Sequence, residues 1–141
     1  HIDVFLENGY TKEEQKMIDE TRKILNAPDL KVTATCARVP VQDSHSVEID
    51  VTLDKEATAE DIKALFDQDD RVVLVDNPEN NEYPMAINST NKDEVFVGRI
   101  RRDDSLENTF HVWCTSDNLL KGAALNAVQV LEQVMRLKGA N

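Results

Sequence analysis

The chain has 141 residues, a formal net charge of −11 at pH 7, and a composition of 40% hydrophobic and 30% charged residues. This length predicts one domain with a sizeable core. The acidic balance argues against nucleic acid and anionic membrane as partners, because both attract basic surfaces, but it does not exclude a small anionic ligand. No apolar run approaches the roughly 18 residues that cross a bilayer, and residues 1–9 do not resemble a signal peptide.

The first half of the chain predicts one helix and two strands. Residues 11–25 form an amphipathic helix with a capping box between Thr11 and Glu14. Residues 30–39 and 45–54 alternate between apolar and polar side chains as strands do, with a short turn between them. The stretch 31–53 is therefore predicted to be a hairpin-like unit, with Arg38 and His45 at the same end.

The second half predicts a crossover followed by an antiparallel pair. A helix over residues 57–66, capped by Thr58, and a strand over 71–75 suggest a crossover on one face of a sheet. Residues 77–83 are a loop, and strands 94–102 and 109–115 are antiparallel neighbours, with Gly98 indicating a bulge or a close backbone approach. A helix over residues 116–139, capped by Ser116 or Asp117, should bury an apolar stripe made of Ala127, Val128, Leu131, Val134 and Met135.

Two groups of charged residues are candidates for chemistry. Arg38 and His45 combine a permanent cation with a side chain that titrates near neutral pH, which suits acid/base work on an anionic substrate. Arg38 continues an apolar face, where its charge needs a carboxylate or a ligand. The periodicity by itself favours a surface histidine at a strand end for His45. Glu13 and Lys16 are three residues apart, and they are either a solvated ion pair or a corner that holds phosphate and ammonium groups.

The remaining features are less specific. Arg99, Arg101 and Arg102 are the densest basic cluster, and they indicate a solvated or interface strand or an anion site. Cys36 and Cys114 lack a CxxC spacing, so they predict buried free thiols in a reducing cytoplasm rather than a disulfide, a nucleophile or metal ligands. The sequence has no dinucleotide fingerprint, no GxSxG and no HExxH motif.

Five runs in chain order resemble aspartate-semialdehyde dehydrogenases: TKEEQKMIDETRKIL, TCARVPVQDSHSVEIDV, EYPMAIN, DEVFVGRIRRD and SDNLLKGAALNAVQ. The resemblance covers nearly the whole chain and is to the C-terminal part of these enzymes. It implies an α+β fold with a mixed, largely antiparallel sheet covered by helices. This is the fold of the C-terminal domain in the glyceraldehyde-3-phosphate dehydrogenase-like family.

The resemblance also implies a function. The family makes aspartate semialdehyde from aspartyl phosphate with NADPH, on the route to lysine, threonine and methionine. By resemblance His45 is the acid/base histidine, Arg38 binds the substrate carboxylate, Glu13 recognises its ammonium, Lys16 contacts phosphate, and Asn118 contacts the nicotinamide end of NADP. The implied partners are these substrates and further copies of the chain in a dimer or tetramer, with no metal, nucleic acid or membrane.

Two family features do not occur in the sequence. There is no Gly-rich nucleotide loop, and neither Cys36 in Ala-Thr-Cys-Ala-Arg nor Cys114 in Val-Trp-Cys-Thr-Ser matches the Asn-Cys-Ser/Thr context of the nucleophile. We therefore expect residues 1–141 to be a single partial domain, the C-terminal catalytic and dimerisation part, which is inactive by itself. Two alternatives stay open: a non-catalytic dimerisation fragment, and the related N-acetylglutamyl-phosphate reductase, whose substrate has no free ammonium for Glu13.

Overall fold

A computed structural model describes residues 1–139 of the chain. The chain divides into two compact units, His1–Pro40 and Val41–Asn141. Arg38 therefore belongs to the first unit with Glu13 and Lys16, whereas His45 and Asn118 belong to the second. None of the described helices is long and apolar enough to cross a membrane.

The first unit is built on helix α1, Lys12–Ile24. The predicted capping box is present: the backbone N–H of Glu14 donates to Thr11 Oγ1 at 3.2 Å, and the N–H of Thr11 donates to Glu14 Oε2 at 2.7 Å. These two bonds satisfy donors that a helix start otherwise leaves open. Ile18 on the apolar face of this amphipathic helix is buried, but Ile24 at the end of the same face is exposed.

Residues 30–39 do not form a strand, and the predicted hairpin is wrong. Their side chains do alternate, and the half-buried ones are Val32, Ala34 and Cys36. However, the segment follows α1: the N–H of Cys36 donates to Glu14 Oε1 at 2.8 Å, and Arg22 Nε donates to the carbonyl oxygen of Leu30 at 2.9 Å. A period of two shows which side chains face a surface, but a strand also requires a ladder partner, and none lies beside this segment in residues 1–139.

The second unit contains a four-stranded sheet in the order β1-β4-β3-β2. The strands are β1 His45–Thr52, β2 Val72–Leu74, β3 Val95–Arg102 and β4 Thr109–Ser116. β4 pairs antiparallel with both β1 and β3, and only β2 pairs in parallel, with β3. Helix α2, Ala59–Asp67, starts from a capping box at Thr58 and connects the two edge strands, as the predicted crossover requires.

A small apolar core lies between α2 and the sheet. Its buried members are Ile62, Val97, Ile100, Phe110 and Val112. From β1 only Val51 packs against this cluster, because Val47 and Ile49 on the same face are 37% and 42% exposed. The predicted inward face of β1 is thus covered at one end only among the described residues. As an edge strand, β1 also has one row of backbone groups that no other strand of residues 1–139 pairs with.

The surroundings of Gly98 in β3 leave no room for a side chain. A Cβ built on it would overlap the carbonyl oxygen of Val75 and lie 2.7 Å from Cδ of Pro84. The pairing register of β3 with β4 shifts between Gly98 and Arg101. The predicted bulge and the predicted close backbone approach are therefore both present.

Asp76 holds this bulge in place. Arg99 has the left-handed backbone angle φ of 52°. Its N–H and that of Ile100 donate to the two carboxylate oxygens of Asp76 at 3.1 and 3.2 Å. Lys63 Nζ approaches the same nearly buried carboxylate at 3.2 Å. These contacts satisfy the two N–H groups that the bulge removes from the ladder and thereby stabilise an unfavourable backbone angle.

The chain after β4 continues through a π-helical turn, Leu120–Ala124, into helix α4, Leu125–Leu137. The short helix α3, Ala86–Ser89, precedes β3. The apolar stripe of α4 is present but not buried, since Val128, Leu131, Val134 and Met135 are 39–58% exposed. No element in the part of the chain that the structure describes covers this stripe, so the predicted burial is wrong for the chain by itself.

Candidate active site

Glu13 and Lys16 lie together on the first turns of α1. Lys16 Nζ is 3.4 Å from both carboxylate oxygens of Glu13, and the two side chains are 53% and 34% exposed, respectively. An exposed pair at this distance contributes little stability. It is therefore loose enough for each charge to exchange its partner for a ligand group.

Arg38 is exposed near the end of the first unit. No carboxylate among residues 1–139 forms a salt bridge with it. The predicted position on an apolar face is wrong, because Arg38 is exposed. Of the two expected partners, a carboxylate is not found among residues 1–139, and a ligand stays a prediction. The five N–H donors of its planar fork are thus available to a carboxylate in solution.

The two thiols are free and partly buried. Burial, and then the carboxylates of Glu14 and Glu13, raise the pKa of the Cys36 thiol. Burial alone raises the pKa of Cys114. Both effects favour the protonated thiol, whereas a nucleophilic cysteine needs an environment that favours the thiolate.

His45 is exposed at the first position of β1, where its Cα pairs with that of Ser116 at the end of β4. The residue before it, Ser44, is buried and has a left-handed φ of 75°. The N–H of Ser44 donates to Asn118 Oδ1 at 2.8 Å, and Ser44 Oγ lies 3.0 Å from Thr90 Oγ1. Ser44, the residue before His45, is therefore held by two side chains from distant parts of the second unit, Asn118 and Thr90.

Asp117, just before the last helical segment, links that segment to the loop at Asn91. Its Oδ2 accepts the N–H of Asn91 at 2.8 Å, and its Oδ1 accepts those of Leu119 and Leu120 at 2.8 and 3.1 Å. The Asn91 bond is the largest cause that lowers the pKa of Asp117, and burial opposes it. A lowered folded-state pKa means that this carboxylate stabilises the fold above the ordinary aspartate pKa and loses that effect as the pH falls through the lowered value.

Sequence reasoning found Asp117 as a helix cap but missed its bond to the loop at Asn91. It missed Ser44 altogether. The only local signal was the polar run Gln-Asp-Ser between Val41 and His45, which predicts a turn but not a buried serine with a positive φ.

One cluster among residues 1–139 has the composition of a metal site: Glu48, Asp50 and His111, on the face of β1 and β4 opposite the core. His111 Nδ1 is 2.8 Å from Glu48 Oε1 and also contacts Asp50 Oδ1. The two carboxylates are 42% and 56% exposed. The imidazole is therefore already partnered within the cluster, and none of these residues belongs to the candidate site.

A cavity of about 400 Å³ lies at the start of α3 and the bulge of β3. Its lining residues are Tyr83, Pro84, Met85, Ala86, Arg99 and Trp113. Trp113 Nε1 donates to the carbonyl oxygen of Pro84 at 3.0 Å, so the indole supports the YPMAIN segment. Neither His45 nor Asn118 lines this cavity.

Comparison with known proteins gives one consistent result. Residues 1–121 match the model of the semialdehyde dehydrogenase dimerisation domain. The aspartate-semialdehyde dehydrogenases of Aquifex aeolicus (strain VF5) and Bacillus subtilis (strain 168) are 49% and 51% identical over 136 and 137 residues. Aspartate semialdehyde dehydrogenase II from Vibrio cholerae, solved in complex with ASA, superimposes with a TM-score of 0.89 at 40% identity and covers 96% of this chain.

An α+β domain with this mixed sheet and these matches is a domain of the semialdehyde dehydrogenase type. The chain belongs to the semialdehyde dehydrogenase dimerisation domain family. The fold class and the resemblance to the C-terminal part of aspartate-semialdehyde dehydrogenases are both confirmed. The chain spans 40% of the length of each of the three relatives described above.

Proposed function

We propose that this chain is the substrate-binding and dimerisation part of an NADP-dependent aspartate-semialdehyde dehydrogenase, which reduces aspartyl phosphate to aspartate semialdehyde in lysine, threonine and methionine biosynthesis. The observation that carries the proposal is the exposed His45 on its buried support, in a chain about half identical to such enzymes. Residues 1–141 then form one partial domain, and the nucleotide-binding domain and the catalytic cysteine lie elsewhere in the protein.

In this proposal His45 moves protons. A cysteine outside these 141 residues attacks the acyl carbon, the bond to phosphate breaks, and phosphate leaves; splitting the reaction through this covalent thioester lowers each barrier. His45 accepts the thiol proton and later manages the proton of the hemithioacetal. An imidazole that is open to solvent and held through its backbone suits both transfers.

The cofactor NADP supplies the hydride when it is bound. The residues described here fit a contact with its carboxamide, because Asn118 Nδ2 makes no hydrogen bond to residues 1–139 while its Oδ1 is engaged with Ser44. Asn118 thus keeps two N–H donors for an amide oxygen of the cofactor.

The first unit supplies the charges for the substrate. Arg38 donates hydrogen bonds from its guanidinium to the substrate carboxylate. Glu13 accepts hydrogen bonds from the substrate ammonium, and Lys16 contacts the phosphate. The weak ion pair between Glu13 and Lys16 supports these two roles. The ammonium of the substrate can replace Lys16 as the partner of Glu13, and its phosphate can replace Glu13 as the partner of Lys16.

Replacement of Glu13 with glutamine in the complete enzyme is expected to raise the KM for aspartate semialdehyde about 10- to 100-fold. The substrate ammonium loses a charged hydrogen-bond partner, while the side chain keeps its shape. The measurement is NADP-dependent oxidation of aspartate semialdehyde with phosphate at varied substrate concentration.

Glu20→Gln is the matched control, because Glu20 is an exposed carboxylate later on the same helix, and its KM should stay unchanged. An unchanged KM in Glu13→Gln, with activity on N-acetylated glutamyl substrates, would favour the N-acetylglutamyl-phosphate reductase alternative instead.

The purified 141-residue chain is expected to show no turnover and to self-associate. Its two thiols are held protonated, and the uncovered Val47 and Ile49 on edge strand β1 support a second copy as partner. Its two unpaired thiols support a reducing, cytoplasmic compartment. The measurements are the coupled activity assay and sedimentation across the micromolar range; measurable turnover or a strict monomer would each contradict the corresponding part of the proposal.

A further inference from the structure

The amide of Asn118 has two ends with different surroundings. Its oxygen accepts the N–H of Ser44 at 2.8 Å, across 74 positions of sequence, and its nitrogen makes no hydrogen bond to residues 1–139. A cofactor contact uses the nitrogen. The bond of the oxygen to the residue that precedes His45 needs a separate explanation.

Ser44 is a position where the backbone needs help. A non-glycine residue at φ 75° is unfavourable by itself, because the Cβ crowds the following carbonyl. Ser44 is also only 4% exposed, so its N–H has no access to bulk water and requires a partner within the protein. Asn118 Oδ1 provides that partner.

The support behind Ser44 is itself rigid. Thr90 Oγ1 contacts Ser44 Oγ at 3.0 Å and donates to the carbonyl oxygen of Ala86 at 3.2 Å. Asp117, the neighbour of Asn118, is 2% exposed and binds three backbone N–H groups. Asn118 therefore projects from an anchored helix start rather than from a mobile loop.

We infer that Asn118 is a positioning residue for His45: through its amide oxygen it fixes the left-handed turn at Ser44 and so sets where the imidazole is presented. This inference rests on the proposed function and deepens it. His45 is exposed, and its imidazole makes no hydrogen bond to residues 1–139, so its position depends on the backbone that carries it. Because a displacement of about 1 Å can lower a rate by about 100-fold, the loss of this single acceptor affects catalysis.

The test uses two variants in the complete enzyme. Asn118→Ala removes the acceptor, and we expect kcat to fall about 10- to 100-fold while the KM for aspartate semialdehyde changes less than about threefold. Asn118→Asp keeps an oxygen for the Ser44 N–H but loses both N–H donors, so at saturating NADP it should recover most of kcat while its KM for NADP stays raised. A purely cofactor-binding role predicts instead that kcat is equally impaired in both variants, since both lose the N–H donors.

A second readout does not depend on activity. Hydrogen–deuterium exchange of the peptide that contains Ser44 should be at least about 10-fold faster in Asn118→Ala than in wild type, and close to wild type in Asn118→Asp. Asn88→Ala, an exposed asparagine on α3, is the matched control and should change neither readout. Unchanged exchange in Asn118→Ala would overturn the inference, whereas absence of any activity in the wild type, with the exchange pattern as expected, would instead reject the proposed function.

Discussion

Replacement of His45 with asparagine is expected to lower kcat of the complete enzyme about 100- to 10,000-fold, the range that a positioned general acid/base contributes. The loss falls on kcat because asparagine cannot exchange a proton near neutral pH. The KM for aspartate semialdehyde should change little, since the proposed contacts of the substrate are made by Arg38, Glu13 and Lys16. The fold should also persist, because His45 is exposed at a strand end.

The matched control is His111→Asn. His111 contacts Glu48 and Asp50 on the face of the sheet opposite the core, and it is outside the proposed machinery. Its variant should keep kcat within about threefold of wild type. Steady-state kinetics and circular dichroism of both variants decide the matter: a His45→Asn enzyme that is folded and retains wild-type kcat would remove His45 from the mechanism and with it the observation that carries the proposed function.

Replacement of Gly98 with alanine is expected to destabilise the second unit by about 3 kcal/mol, at the upper end of what overpacking normally costs. The added Cβ would overlap the carbonyl oxygen of Val75, which is backbone and cannot rotate away. Val75 also donates its N–H to the carbonyl oxygen of Val97 at 2.8 Å, so the clash pushes apart the pair β2 and β3. The measurement is urea unfolding of the purified protein.

Gly122→Ala provides the comparison within the same unit. A Cβ there would meet only Asn118 Cβ, at an ordinary distance of 3.7 Å, and Gly122 lies in a helical turn. Because alanine favours helix over glycine by up to about 1 kcal/mol, this variant should be neutral or slightly more stable. Equal unfolding midpoints for Gly98→Ala and wild type would show that β2 and β3 move apart without loss of stability. The close backbone approach at Gly98 would then not be required for the stability of the fold.

Prediction from sequence succeeded where the cause was local. The capping box at Thr11 and the N-cap at Thr58 depend on residues within three positions of each other, and both are present. The glycine within an otherwise regular strand pattern correctly indicated the bulge of β3. Prediction failed where burial depended on a surface that the pattern does not show: the alternation of residues 30–39 is real but faces helix α1, and the apolar stripe of α4 is uncovered among residues 1–139.

The sequence by itself determined the elements with local signals, the pairing of Glu13 with Lys16, and the family, since the motifs that carry the resemblance are contiguous runs. Only the tertiary structure placed β1 beside β4, which brings the residue before His45 to the start of the last helix. Only the tertiary structure showed the bond between Ser44 and Asn118, because a hydrogen bond across 74 positions leaves no periodicity in the chain. The candidate histidine is thus readable from the sequence, whereas the means by which it is held depends on contacts that form only when distant segments pack together.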